Sequence, residues 1–387
     1  MTASWTARTG LAFVLLFGAV NLFADFAYEG ARSVSGPFLA LLGASGLVAG
    51  AVGGLGELVG YALRLFSGRW ADRSGRYWMI TILGYVVQMG AVPLLALAGS
   101  WQAAAALMVT ERIGKAVRNP PRDVMLSEAG EIMGRGWAFG VNEALDQLGA
   151  FAGPLVVAGV LAYRHDYRLA FMWLAAPAVM VLLLVGAARI TFPYAGEIRH
   201  DAAAASGDSY PRVFWWYAAG SALVAFGFAD YALIAFHFAK THVVPADVIP
   251  IAYAFGMLGG GAGALLFGKL YDQMGLKILL PLTLLGALFA PLAFLGGYGA
   301  AVAGVLLWGL SFGVHGSVMP AAVAAMIPAH RRAGAYGVFN TIFGVAWFVG
   351  STLEGWLYDH SVVTLVVVAV VAQLLALGPL WMAARKA

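Results

Sequence analysis

The stretch SGRWADRSGRYW, residues 67–78, sets Arg69, Arg73, Arg76 and Asp72 between two long apolar runs. Arginines are costly to carry through a bilayer, so a cluster of them holds a connecting turn on one side. The question is what kind of chain places its densest charge in so short a connection. The composition answers first. Of 387 residues, 61% are hydrophobic and 11% charged, and mean hydropathy is +0.82. Soluble domains carry about 25% charged residues. Apolar runs of about twenty residues, enough to cross a hydrocarbon core as helix, follow one another to the C-terminus. They are continuous rather than alternating, which argues against a membrane β-barrel.

The runs predict twelve transmembrane helices. The first six lie near 9–40, 46–67, 77–98, 101–120, 136–162 and 169–190; the second six lie near 213–238, 248–268, 276–296, 299–327, 334–358 and 361–384. Residues 191–212, TFPYAGEIRHDAAAASGDSYPR, form the longest polar interval and read as a linker. The expected division is a bundle over 1–190, the linker over 191–212 and a second bundle over 213–387. Seventeen basic residues, from Arg8 to Lys386, fall on one side of this alternating map, and only Arg164, Arg168 and Lys240 on the other. That asymmetry puts both termini and the linker in the cytoplasm and accounts for the net charge of +4 without a nucleic-acid partner. The first run continues into Asp25, Glu29 and Arg32, which a cleaved signal core would not carry. The chain has no cysteine, which removes disulfides and thiolate chemistry.

Short segments recur about 200 residues apart, in order. FADFA (23–27) returns as FADYA (228–232), GRWADRSG (68–75) as GKLYDQMG (268–275), and AFGV (138–141) as AYGV (335–338), with Gly153 matching Gly350. Three matches in register read as two related six-helix halves.

Two six-helix halves, a central linker and the pattern G-x-x-x-D-R-x-G-R, here Gly68, Asp72, Arg73, Gly75 and Arg76, resemble the major facilitator superfamily. The family often adds a basic residue next, where this chain has Tyr77. The resemblance covers essentially the whole chain. It implies an all-α membrane protein of twelve helices in two pseudo-symmetric bundles, and a carrier working by alternating access. It also implies that the 68–76 loop latches the cytoplasmic gate. Physically, Gly68 lets two helices approach, Gly75 suits a tight turn, and Asp72 can accept from a helix N-terminus of the other half. A role limited to fixing topology would need the arginines but not the aspartate and both glycines.

Ionisable groups at bilayer depth are costly, and each is a functional candidate. Asn21, Asp25, Glu29 and Arg32 are spaced 4, 4 and 3 apart, on one stripe of the first helix. Such a stripe is expected to face a wet cavity between repeats, where carriers hold substrate and protons; an internal Glu29–Arg32 pair is the plainer alternative. Glu57 sits among glycines in GGLGELVGY, where desolvation disfavours its charged form. It is either a proton carrier or bonded to a neighbouring helix. In the fourth span, Glu111 and Lys115 are expected to pair, Arg118 and Arg122 flank the helix end, and Asn119-Pro120-Pro121 ends or kinks the helix.

Arg112 resembles the arginine that partners the acidic first-helix site in drug:proton antiporters. The spacing departs from that motif, whose glycine follows the arginine by four residues, whereas Gly114 follows by two. In the fifth span, Asn142, Glu143, Asp146 and Gln147 precede Gly149, Gly153 and Pro154. These resemble the Gly-Pro motif of exporters, which lines a bend and the contact with the other half; Val157 and Ala158 replace its usual glycine pair. Asp230 is read as the repeat counterpart of Asp25. His237, His315 and Glu354 are further ionisable candidates of the second half.

No phosphate-binding loop or H-E-x-x-H pattern is present, so the sequence implies no ATP-driven pump, enzyme, metal site or cofactor. The leading expectation is a monomeric, proton-coupled exporter of a small molecule in the inner membrane. Asp25, Glu29, Glu57, Glu143 and Asp146 would be its proton or cation sites, with Arg32 and Arg112 as charge partners. An organic-anion symporter or uniporter, a divalent-metal exporter and a non-transporting receptor on the same fold are the alternatives.

Overall fold

A computed structural model of the chain describes residues 5–131, 135–195, 210–328 and 331–386. The described chain is helical throughout. Its elements are α1 (Ala7–Arg32), α2 (Ser35–Leu41), α3 (Gly46–Ser74), α4 (Tyr77–Leu94), α5 (Trp101–Gly130), α6 (Arg135–Arg164), α7 (Tyr167–Trp173) and α8 (Ala175–Thr191). They continue with α9 (Arg212–Phe226), α10 (Tyr231–Thr241), α11 (Val248–Met274), α12 (Leu279–Gly286), α13 (Phe289–Leu295), α14 (Tyr298–Met326), α15 (Arg332–His360) and α16 (Val362–Lys386). Nine stretches among the described residues are long and apolar enough to cross a membrane, and Val248–Leu295 has the length for two passes. Two more long helices, α5 and α14, bring the count to the twelve membrane helices expected. α5 escapes the apolar criterion because Glu111, Arg112, Lys115, Arg118 and Arg122 lie within it.

The chain forms two compact units. One contains Met1–Arg32 with Val59–Asp201, the other Ser33–Leu58 with Ala202–Ala387.

In the first unit, α1 packs on α6 through glycine. A Cβ on Gly149 would press on the Leu22 carbonyl, and one on Gly153 on the Phe26 carbonyl. Backbones this close are the usual small-residue solution where helices have no hydrophobic drive to associate. The expected contact of Gly149 and Gly153 with the opposite half is therefore corrected: both face α1 of their own unit. Pro154 lies inside a continuous α6.

Of the two expectations for Asn119-Pro120-Pro121, an end or a kink, the end is corrected, because α5 runs on to Gly130. A proline at 120 removes the N–H that would bond the Ala116 carbonyl four residues back. Ser67 supplies the replacement, its Oγ donating to Ala116 O at 2.9 Å. The helix thus passes the prolines with that acceptor satisfied, as bilayer depth demands.

The 67–78 connection has Gly75 at φ +64°, and its repeat counterpart Gly275 at +59°; both are left-handed positions that favour glycine. Arg73 and Arg76 are exposed. Asp72 accepts from the Tyr77 hydroxyl at 2.9 Å. Its partner is the residue at which the chain departs from the family pattern. A Cβ on Gly68 would come only to ordinary contact, 3.5 Å from Pro120 Cβ, so no close helix approach requires that glycine here.

In the second unit the seventh span is broken, with α9 ending at Phe226 and α10 starting at Tyr231. The freed backbone groups find partners. Gln373 Nε2 donates to the carbonyls of Val224 (3.1 Å) and Gly227 (3.3 Å), and Trp308 Nε1 donates to Ala229 O at 3.0 Å. Asp230 Oδ1 accepts from Ala232 N at 2.9 Å as the N-cap of α10. Asp230 is therefore a capping residue at a helix break. Asp25 is seven residues inside α1, and the structural partner of Gly153 and Phe26 in the second half is Gly350 against the Phe226 carbonyl. The FADFA/FADYA match is offset by five residues from that packing register, so Asp230 is not the counterpart of Asp25.

Ser33–Leu58 is built into this unit. Gly36 of α2 lies on the Ala232 carbonyl of α10, and Gly50 and Gly54 of α3 lie on Ser351 and Phe348 of α15. Asp359 closes the seam: its Oδ1 accepts from Gly46 N at 2.7 Å and its Oδ2 from Leu47 N at 2.9 Å. A carboxylate at a helix N-terminus satisfies orphan donors and complements the dipole. Asp359→Ala is expected to cost about 1–2 kcal/mol, the value of a lost cap plus dipole term. Unfolding of the purified protein by titrated denaturant, compared with wild type, measures it.

Candidate coupling site

The polar stripe of α1 meets a matching stripe of α5. Glu111, Lys115, Arg118 and Arg122 are spaced 4, 3 and 4 apart and so share one face. The two helices run antiparallel, so Asn21 reaches the late residues of α5 and Tyr28 the early ones. At the centre, Asp25 Oδ1 lies 3.4 Å from Lys115 Nζ and 3.8 Å from Arg118 Nη2. The Asp25 side chain is 6% exposed and that of Arg118 0%.

Arg118 holds the cluster together. Its Nε donates to Gln88 Oε1 at 2.5 Å, and its Nη1 to the Tyr85 hydroxyl at 3.0 Å. The guanidinium also stacks 4.5 Å from the Tyr85 ring centre. Tyr85 in turn donates to Asn21 Oδ1 at 3.0 Å, which also accepts from Arg122 Nη1 at 3.0 Å. Arg122 pairs with Asp123 at 2.7 Å. Gln88 Nε2 donates to Glu111 Oε1 at 3.1 Å. Lys115 and Arg112 lie over the Tyr28 ring, at 3.8 and 5.0 Å from its centre.

This places the sequence candidates. The cations on Asp25 are Lys115 and Arg118, where the sequence pointed to Arg112; Arg112 instead sits by Tyr28 and 4.0 Å from Glu111. Lys115 turns to Asp25 rather than to Glu111, whose hydrogen bond comes from Gln88. Asp146 of α6 is half-buried, and its Oδ1 has no hydrogen-bond partner among the described residues. Glu143 is exposed and accepts from Gln147 at 2.9 Å, one turn along its own helix. Glu29 and Arg32 are buried at the end of α1, beside Tyr28. Glu57 and Asp230 are buried in the other unit. The side chain of His315 lies outside the described residues.

Tyr85 and Gln88 escaped the sequence reading, although a glutamine in an otherwise apolar span is a signal. Arg118 and Arg122 were assigned to a helix end because the prolines were read as a stop. Once α5 continues, they are mid-helix charges.

The geometry has a chemical consequence. Charge-assisted hydrogen bonds are about 2.7–2.9 Å long, and both contacts to Asp25 exceed that. The carboxylate is neutralised by two cations but clamped by neither, so a proton or a charged ligand can compete for it. Among the described residues no group of three His, Cys, Asp or Glu could hold a metal ion.

A chain of twelve membrane helices, with buried and partly paired charges inside one of its units, has the plan of a multi-pass membrane transporter. The chain belongs to the Major Facilitator Superfamily, whose model matches residues 20–351. It is 43% identical over 372 residues to an uncharacterised protein of Mycobacterium tuberculosis, covering 94% of this chain and 91% of that one. It is 25% identical over 355 residues to an uncharacterised MFS-type transporter of Methanocaldococcus jannaschii, covering 90% and 89%. Among solved structures, a mutant of the peptide transporter POT aligns with TM-score 0.78 at 15% identity, covering 96% of this chain and 95% of that one. A mutant of the nucleoside transporter NupG gives 0.76 at 13%, covering 97% and 98%. A bacterial homologue of the human lysosomal transporter Spinster gives 0.72 at 16%, covering 97% of both. At such identities these likenesses establish the fold alone.

Proposed function

We propose that the protein is a proton-coupled secondary carrier that exports a small molecule across the inner membrane by alternating access, with both termini cytoplasmic. The observation that carries this is Asp25, buried between Lys115 and Arg118 at distances longer than tight ion pairs. Protonation removes the charge that holds those two cations, and deprotonation restores it. A substrate that competes for the same groups is thereby exchanged against protons. Asp146 is proposed as a further proton site. Glu29, Glu57, Arg32 and Arg112 remain proposed contributors, and the 68–76 loop the proposed cytoplasmic latch.

A second reading, an organic-anion carrier, is favoured by a specific feature: Lys115, Arg118 and Arg122 converge on Asn21 and Asp25. One experiment separates the two. The purified protein is reconstituted in liposomes containing a pH dye, without an imposed gradient, and challenged with lipophilic cations, organic anions and divalent metals. Proton movement evoked by one class and absent in Asp25→Asn supports coupling and names the charge of the substrate. Silence toward every class in the wild type contradicts proton coupling for those compounds.

A further inference from the structure

The second unit holds an acid that the coupling cluster does not use. Glu354 of α15 is 0% exposed, and neither of its carboxylate oxygens has a hydrogen-bond partner among the described residues. Ser351, one turn earlier, is also 0% exposed with an unpartnered Oγ. Among the described residues no cation is paired with Glu354. Another acid, Asp230, is 1% exposed and faces Gly53 of α3, whose neighbour Gly54 faces Ser351 of α15.

The neighbouring helices offer no relief. α9 carries its one charged residue, Arg212, at its start, and α16 carries Arg385 and Lys386 in its last turn. α14 contributes only His315, whose side chain lies outside the described set. From α3, Gly53 faces the Asp230 carboxyl, 2.7 Å from where its Cβ would stand, and Glu57 follows one turn later. On α10, His237 bonds to Tyr358 at 3.2 Å, and Lys240, in the last turn, lies over the Phe236 ring, 5.7 Å from its centre.

An ionised carboxylate isolated in a low-dielectric interior is strongly disfavoured, and such groups neutralise instead. A neighbouring acid adds to that cost. We propose that Glu354 is a second proton-binding site of the carrier, occupied in this conformation. The step is a simple protonation: one water-borne proton bonds to a carboxylate oxygen and the side chain becomes a neutral acid. The glycine seam of Gly46, Gly50 and Gly54 packs against Ser351 and Gly355, the residues on either side of Glu354 along α15. Parting that seam would hydrate the acid and release the proton. Bound proton and closed seam therefore stabilise each other. The role in transport rests on the proton-coupling reading; the protonation itself does not.

Infrared spectroscopy of the reconstituted wild-type protein at neutral pH, against Glu354→Gln, tests the proposal. The expected result is loss of one protonated-carboxyl C=O band in the variant, with that band retained in Asp25→Asn. Loss of a carboxylate-anion band instead, or no change in the protonated-carboxyl region, overturns it. Should the variant fail to fold, 13C labelling of glutamate carboxyls in the unmutated protein gives the same reading. A shifted protonated-carboxyl band supports the site, and label confined to ionised bands contradicts it. A failure here leaves the Asp25 result standing, and a failure of Asp25 to affect proton flux leaves this band unaffected.

Discussion

Arg118→Ala is expected to destabilise the protein by about 3–5 kcal/mol, the usual cost of removing one member of a buried charge pair, and to abolish transport. The side chain is fully buried and serves Gln88, Tyr85 and Asn21 while facing Asp25. Truncation takes a donor from Gln88, Tyr85 and Asn21 and one of its two cations from Asp25. Arg118→Lys keeps the charge but cannot reproduce a fork that reaches Gln88 through Nε and Tyr85 through Nη1, so it should recover stability in part and transport poorly. Adding Asp25→Asn to Arg118→Ala removes the stranded charge, and the double variant is expected to be less destabilised than the single effects add to. Denaturant unfolding of the four purified proteins measures the cycle. Simple additivity would show that Arg118 and Asp25 do not interact.

The second large effect concerns glycine. Leucine at Gly153 or Gly350 must place its Cβ against the Phe26 or Phe226 carbonyl. Backbone cannot yield as a flexible side chain can, so the cost should lie at or above the upper end of overpacking, about 3 kcal/mol. The helix of Gly153, α6, supplies the control. Nothing lies within 4 Å of a Cβ placed on Gly140 or Gly159, and alanine there should be neutral or stabilising by up to about 1 kcal/mol, the helix preference of alanine over glycine. Expression and detergent-resistant folding of the four variants decide the matter. Equal loss at all four positions would mean that α1–α6 packing is not the reason for the glycines.

Much of this architecture was legible in the chain. Continuous apolar runs gave the membrane helices, and Gly75 and Gly275 matched in sequence and share a left-handed backbone. What stayed hidden depended on distant partners. Pro120 and Pro121 look like a helix stop because the hydroxyl that rescues Ala116 comes from Ser67, on a different helix. The break before Asp230 depends on Gln373 and Trp308, far along the chain. The charged stripe of α1 could be read from its own spacing, but its partners could not, since the reading that ended α5 at the prolines also removed Arg118 and Arg122 from its middle. A five-residue likeness placed Asp230 opposite Asp25; helix packing places it at a cap.

The most direct test of the central claim separates coupling from binding. With a compound that evokes proton flux in the wild type, two assays are run on wild-type and Asp25→Asn liposomes: gradient-driven accumulation and equilibrium counterflow of the labelled compound. The account predicts that Asp25→Asn loses accumulation and keeps counterflow, because exchange needs no net proton movement. Accumulation undiminished in Asp25→Asn would contradict it and remove Asp25 from the coupling step.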